Sequence, residues 1–332
     1  MLPERLLNIV RRFPERKLLI VGDSIADKFL TGSIARVSRE APVFILRHES
    51  TETVPGGAAN CALNLAALGA NVSLISIAGN DEAGHALRDK LTAAGVNVDG
   101  LVLSDKVQTT TKVRILAGHA HAAKQQVIRV DYEDAALKDV SLRASINGQL
   151  KSALNAADAV IISDYNYGLV DADAVELVRE AQRTKNIPVL IDSRFRLADF
   201  SGFTAATPNQ DEVEQVLGQS ITSLPQLESL ASRLKEQLQY QALLVTRGSR
   251  GMMLVTDDDL PLHIPAVGAQ AVDGTGAGDT VIATFALALA SDASFPEAAL
   301  LANHAGGLVV MKRGTASVSA AELEHSINDS KP

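Results

Sequence analysis

Short aliphatic runs recur along this chain, and the stretches between them have a helical period. "KLLIVG" (17–22), "VSLISI" (72–77), "AVIIS" (159–163), "PVLID" (188–192) and "ALLVT" (242–246) are apolar almost throughout. A strand with one wet face alternates, whereas a strand covered on both faces does not, so these runs predict buried parallel strands. The intervening pattern predicts helices over 57–69, 81–94, 141–156, 171–185 and 226–239. Strand and helix in alternation imply an α/β fold with a twisted, mostly parallel sheet. Ligands then belong near the C-terminal ends of the strands.

Two segments depart from the alternation. Residues 28–48 follow the first strand where a helix is due. Residues 107–132 alternate, turn through a Gly/His/Ala stretch and alternate again, which reads as a hairpin. Four half-polar strands in two pieces can pair into one small sheet, standing off the main domain and covering a cleft. Its open face needs cover, which points to a homodimer through this lid. "DDDLPLH" (257–263) reads as a surface turn. The chain is expected to form a single domain over 1–332, with the lid strands inserted.

Composition removes several classes of function. Hydrophobic residues make up 46% and charged residues 21%, the balance of a globular protein. There is no tryptophan, aromatics are 4%, and the net charge is −8 without a dense Lys/Arg block. No nucleic acid and no membrane surface is therefore expected as a partner. The lone Cys61 has no internal disulfide partner. The charged N-terminus lacks the apolar core of a signal peptide, and "FALALA" is too short to span a bilayer. These features predict a cytoplasmic protein.

The chemistry concentrates in "AVDGTGAGDTVIATFALALA" (271–290). Gly274, Gly276 and Gly278 let main-chain N–H groups approach a ligand closely. A helix starting there adds free N–H groups and a positive dipole end, which together suit an anion. Asp279 beside an anion hole can take a proton from an attacking hydroxyl, so the arrangement fits phosphoryl transfer. A glycine turn with Asp279 as simple helix-start charge is the plainer alternative. The spacing is not that of a dinucleotide fingerprint, and no P-loop signature occurs.

Other segments lean the same way. Asp23 and Asp27 follow the first strand, where they could hold a sugar hydroxyl. Gly56 and Gly57 open the next helix, with Asn60 in its first turn as a sugar partner or a local cap. Asn209 and Glu212 sit three apart at a helix start, which makes either a capping box or a phosphate and hydrated-magnesium site. The turn at Thr246, Arg247, Gly248 and Gly251 could lie along a nucleotide. Asp164 follows a strand and could reach the cleft or cap the next helix. His119 and His121 lie two apart without an evident third ligand, so no metal is expected there.

"GGAAN", "TPNQDE", "TRGSRG" and "DGTGAGDT" stand in the order found in ribokinase-like (PfkB) sugar kinases. The resemblance covers essentially the whole chain. It implies a ribokinase-like, Rossmann-type α/β domain with a small β-sheet lid that often forms a dimer interface. It makes Asp279 the catalytic base, with Gly276, Ala277 and Gly278 as the anion hole. ATP would lie against Asn209, Thr246, Gly248, Gly251, Gly274 and Asn303, with Mg2+ served by Glu212 through water. Some members use a monovalent cation, K+ among them; Asp273 and Thr275 occupy the matching stretch.

A narrower resemblance is carried by "GDSIADKFLTGSIARVSREAPVFIL", "TTTKVRIL", "QQVIRVDYED", "SDYNYGLV" and "GTASVS". These look like kinases that phosphorylate O1 of D-glycero-β-D-manno-heptose 7-phosphate, on the route to ADP-heptose. Such a substrate needs cations away from the reacting end. Arg36, Lys112, Arg114 and Arg129 in the lid are the candidates, against the alternative that they are exposed lid charges. The chain departs from those kinases in three places: "SREAP" for their "SPEAP", "DSRF" for Asp-Pro-Lys-Gly, and Gly274 for valine in the last motif. No nucleotidyltransferase signature is present, so a stand-alone kinase is expected. The competing readings are a PfkB kinase for ribose, fructose 6-phosphate or a nucleoside, and a non-catalytic sensor.

Overall fold

A computed structural model describes residues 2–119, 124–133, 137–257, 260–268, 272–312 and 314–329. His121, Asp258 and Asp259 lie outside them.

Among these residues two sheets form. The large one runs β13 (Leu262–Ile264), β12 (Met252–Thr256), β11 (Ala242–Thr246), β10 (Ala205–Ala206), β9 (Val189–Ser193), β8 (Ala159–Asp164), β1 (Lys17–Gly22), β4 (Asn71–Gly79) and β5 (Leu101–Ser104). It is parallel from β5 to β11, and β12 and β13 close it as an antiparallel edge. All five expected strands are present. Their unbroken apolar character has a simple cause. Leu18 and Ile20 of β1 face one core while Leu19 and Val21 face the other, and β8 divides its side chains the same way.

Helices supply the two covers. One layer contains α1 (Leu2–Val10), α2 (Ala58–Ala67), α8 (Ala277–Ala290), α9 (Phe295–Val309) and α10 (Ala320–Asp329), and α3 (Glu82–Ala93) adds Leu91 to it. The other contains α4 (Val140–Leu154), α5 (Ala172–Lys185), α6 (Gln210–Leu217) and α7 (Leu224–Gln237). The five expected helices match α2, α3, α4, α5 and α7 to within a few residues. None of the helices among the described residues is long and apolar enough to cross a membrane.

The small sheet has the order β3 (Phe44–Gly57), β2 (Ser24–Val37), β6 (Thr111–Gly118) and β7 (Gln125–Tyr132). The lid strands are longer than the expected 28–48. β2 and β3 form a 14-residue-per-strand antiparallel pair that reaches back to Gly56 and Gly57. Those glycines therefore end a strand, and α2 begins only at Ala58. Gly57 takes φ +58, and a Cβ there would meet the Asp23 carbonyl oxygen at 2.6 Å, so the strand-to-helix corner requires glycine. "DDDLPLH" begins in the β12–β13 connection and ends in β13.

Candidate active site

α8 is buried along almost its whole length, packed between α2, α9 and the sheet, which is why its sequence is apolar all round. Its N-cap is Gly276 at φ 76, and a Cβ there would meet Asn60 Nδ2 at 2.6 Å. The N–H groups of Gly276, Gly278 and Asp279 have no acceptor among the described residues. The Ala277 N–H turns back to the Gly274 carbonyl at 3.2 Å. Of the three N–H groups expected to form an anion hole, those of Gly276 and Gly278 are open and that of Ala277 is taken, while the Asp279 N–H is open as well.

Two cavities meet at this helix start, sharing Thr246, Gly274 and Gly278. The first, of about 800 Å³, lies under the lid and is lined mainly by polar groups, including Asp27, Lys112, Arg114, Arg129 and Asp279. The second, of about 780 Å³, is lined by Gly248, Gly251, Met252, Val281 and Asn303 among others, and is more apolar. Asn303 donates to the Pro265 carbonyl at 2.8 Å, which fixes its amide in the second wall. Arg247 belongs to neither wall, contrary to the expected nucleotide contact.

Asp279 is 5% exposed. Its Oδ2 accepts from Asn60 Nδ2 at 2.7 Å and its Oδ1 from the Tyr165 hydroxyl at 3.4 Å. Burial pushes its pKa up to about 7, and the Asp27 charge adds to this, while the Asn60 and Tyr165 hydrogen bonds oppose it. A carboxyl so poised exchanges protons near neutrality. Asn60 therefore touches the acid rather than serving as a helix cap.

The lid wall follows from strand geometry. Lys112 and Arg114 are two apart on β6, so they share a face. Register places Arg114 beside Phe29 of β2 on one side and Arg129 of β7 on the other. Arg114 pairs with Asp27 at 2.8 Å, and Arg129 grips Asp131 through two contacts of 2.8 and 2.9 Å. Burial raises the Asp27 carboxyl even though Arg114, Lys112 and Arg129 pull it down. The Lys112 ammonium lies 5.7 Å from the Tyr165 ring centre and 5.9 Å from that of Tyr167. Arg36 is not part of this wall. It is exposed further out on β2, ~30 Å from Asp27 at ~3.3 Å per residue.

Several candidates hold the frame instead. Asp23 does not face the main cavity; its carboxylate accepts main-chain N–H from Tyr165, Tyr167 and Leu169 and anchors the loop after β8. Gly56 makes room for Asp27, whose Oδ2 would lie 2.5 Å from a Cβ there. Asp164 reaches the cavity wall but is bound to Ser193 and, through both oxygens, to Arg196. It does not cap α5, whose N-cap is Asp171. Asp273 accepts from Thr275 N at 2.9 Å and Gly314 N at 3.0 Å. A monovalent cation would have to share that carboxylate with two main-chain donors. Thr275 itself lines the first cavity.

Asn209 and Glu212 form the reciprocal capping box of α6, and both also line the first cavity. Glu212 Oε2 takes the Asn209 N–H at 2.8 Å, and burial raises the Glu212 carboxyl while its hydrogen bonds to Asn209 pull it down. No cluster of His, Cys, Asp or Glu able to hold a metal directly occurs among the described residues.

Tyr165, Asn166, Tyr167, Asp192, Arg194 and Thr315 also line the cavity and were not singled out as site residues from sequence. The signals lay in "SDYNYGLV", "DSRF" and "GTASVS". Burial raises the Asp192 carboxyl well above its ordinary range, with Asp279 and Glu212 nearby adding to the effect. Cys61 is fully buried on α2.

The pfkB family carbohydrate kinase pattern matches residues 18–322. The chain is 40% identical over 319 residues to the bifunctional protein HldE of Ectopseudomonas mendocina, covering 95% of this chain and 64% of that one. It is 42% identical over 312 residues to HldE of Shewanella amazonensis, covering 94% and 63%. It thus spans a little under two thirds of the length of these relatives. Among solved structures, phosphofructokinase-2 from Escherichia coli in complex with substrates and products superposes with a TM-score of 0.78 at 20% identity, over 95% of this chain and 99% of that one. Ribokinase from Arabidopsis thaliana with ribose and ATP gives 0.71 at 19%, over 95% and 98%. These two share the fold. With the family match running from β1 into α10, the chain belongs to the pfkB family of carbohydrate kinases.

Proposed function

We propose that this kinase transfers the γ-phosphoryl group of ATP to O1 of D-glycero-β-D-manno-heptose 7-phosphate. The observation that carries this reading is the meeting of two cavities at one helix start, with a near-neutral carboxyl on the polar side. The nucleotide lies in the second cavity, along Gly248, Gly251 and Asn303, with its phosphates at Gly274–Gly278. The sugar lies under the lid. Asp279 accepts the proton of the attacking hydroxyl, and the open N–H groups of Gly276, Gly278 and Asp279 stabilise charge on the moving group. Mg2+, when bound, neutralises phosphate charge. Glu212, which lines the first cavity, would hold a hydrated ion through water.

Lys112, Arg114 and Arg129 support a substrate that already carries a phosphate. The "SREAP" departure lies across the β2–β3 turn, away from the cavity, so it leaves the heptose reading intact. The "DSRF" departure places Asp192 and Arg194 in the wall and favours, as a second reading, a different sugar phosphate. The exposed apolar residues Val37, Val43, Phe44, Val127 and Ile128 on the lid support a homodimer through it.

A coupled assay of ADP release over phosphorylated and free sugars tests the function. Heptose 7-phosphate should give the highest kcat/KM. Fastest turnover of ribose or a nucleoside would contradict the reading.

A further inference from the structure

A buried polar chain runs behind Asp279, and nothing in the phosphoryl-transfer scheme uses its far end. Asn64 is fully buried on α2, one turn beyond Asn60. Its Nδ2 donates to the Asn60 main-chain carbonyl at 2.9 Å and to Asn60 Oδ1 at 3.2 Å. Its Oδ1 accepts from the Thr280 hydroxyl at 2.8 Å. Thr280 follows Asp279 on α8 and is also fully buried.

An asparagine amide has two ends of nearly equal shape, and only its surroundings decide which end points where. A main-chain carbonyl can only accept, so the Asn60 carbonyl demands the NH2 end of Asn64. That same NH2 then demands the oxygen end of Asn60. The remaining, donating end of Asn60 is left facing Asp279, at 2.7 Å from Oδ2. Polarity is passed in one direction from a fixed backbone group to the acid. Such a chain is costly to keep at the packed α2–α8 contact, where apolar side chains would serve packing as well.

We infer that Asn64 is a positioning residue for the phosphoryl-transfer reaction: it locks the Asn60 amide with its NH2 toward Asp279. The inference rests on the reading of Asp279 as the proton acceptor. Without Asn64, the Asn60 amide is free to turn its oxygen toward the carboxylate, which disfavours the charged, proton-accepting form. The other groups coupled to Asp279 are Asp27 from the lid, Tyr165 after β8, Asp192 at the end of β9 and Cys61 on α2. None of them contacts Asn64 through a hydrogen bond, so they stay constant in the test.

The test is carboxyl-carbon NMR titration of Asp279 in the wild type and in Asn64→Leu, with Asp279→Asn assigning the resonance. The midpoint, about 7 in the wild type, should rise by about one pH unit, the worth of one lost hydrogen bond to a charged group. In parallel, kcat/KM should fall about tenfold at pH 6.5 and recover toward the wild-type value by about pH 9. A purely structural role would lower activity equally at every pH and leave the midpoint in place; that result overturns the inference. Asn64→Val carries the same test if leucine does not pack. The titration needs no sugar, so a wild type that turns over no heptose 7-phosphate would count against the proposed function while the midpoint still judges Asn64.

Discussion

The two sheets are built from different patterns, apolar almost throughout in one and half-polar in the other, and put them to opposite use. In the large sheet, β1 and β8 spend nearly every side chain on burial, with layers on both faces. In the small sheet, every residue of β7 is exposed, and the inner ends of β2 and β6 contribute Asp27, Lys112 and Arg114 to a cavity. Burial fixes where a strand lies, and the strand ends then fix where Asp279, Thr246 and the glycines meet. The lid is free of that duty, so its charges can be assigned to a ligand. On the proposed reading the frame governs whether phosphoryl transfer happens, and the lid governs which acceptor receives it.

The sharpest way to break this division is at the frame. Asp279→Asn should lower turnover by about 10²–10⁴-fold while sugar binding, measured by calorimetry, changes little. Near wild-type turnover would remove Asp279 from the chemistry. On the lid, Lys112→Ala or Arg114→Ala should lower kcat/KM about 10–100-fold for a phosphorylated sugar and leave the KM for ATP nearly unchanged. Equal loss on free and phosphorylated sugars would show that the lid cations do not read a phosphate. The pH profile comes next. On the proposed reading the acid acts ionised; with its pKa raised to about 7, kcat/KM should rise with pH through neutrality, falling about tenfold per unit well below it. A limb centred near 4 would mean that burial does not set the titration. The smallest catalytic effect should come from Ile128→Ser on the exposed lid, under about twofold in turnover, with a lower dimer fraction in sedimentation. An unchanged association state would exclude that face as the contact.

The same contrast explains what the chain disclosed in advance. β1, β8 and β11 were legible because two-sided burial writes a continuous apolar signature, and the five helices because one-sided burial writes a helical period. The glycines and Asp279 were legible because few arrangements place flexible residues and an acid ahead of a buried helix. Asp23 was misread as a sugar contact because its true partners, the N–H groups of Tyr165, Tyr167 and Leu169, lie more than 140 positions away. Arg36 and Arg114 look alike in an alternating pattern. Only the register of β2 with β6, and its bulged pairing with β3, reveals that one is at the cavity and the other far along the strand. The resemblance put Ala277 among the expected anion-hole donors, and no sequence motif can tell that the turn consumes its N–H. Tyr165 went unassigned because its hydroxyl reaches Asp279 only through the fold.

The most direct test of the central claim is a crystal structure with a sugar phosphate and a non-hydrolysable ATP analogue bound together. The account predicts an Asp279 carboxylate oxygen about 2.6–3.2 Å from the acceptor hydroxyl, with that hydroxyl in line with the terminal phosphorus. An Asp279 held only by Asn60 and Tyr165, with the acceptor hydroxyl resting against another group, would contradict it.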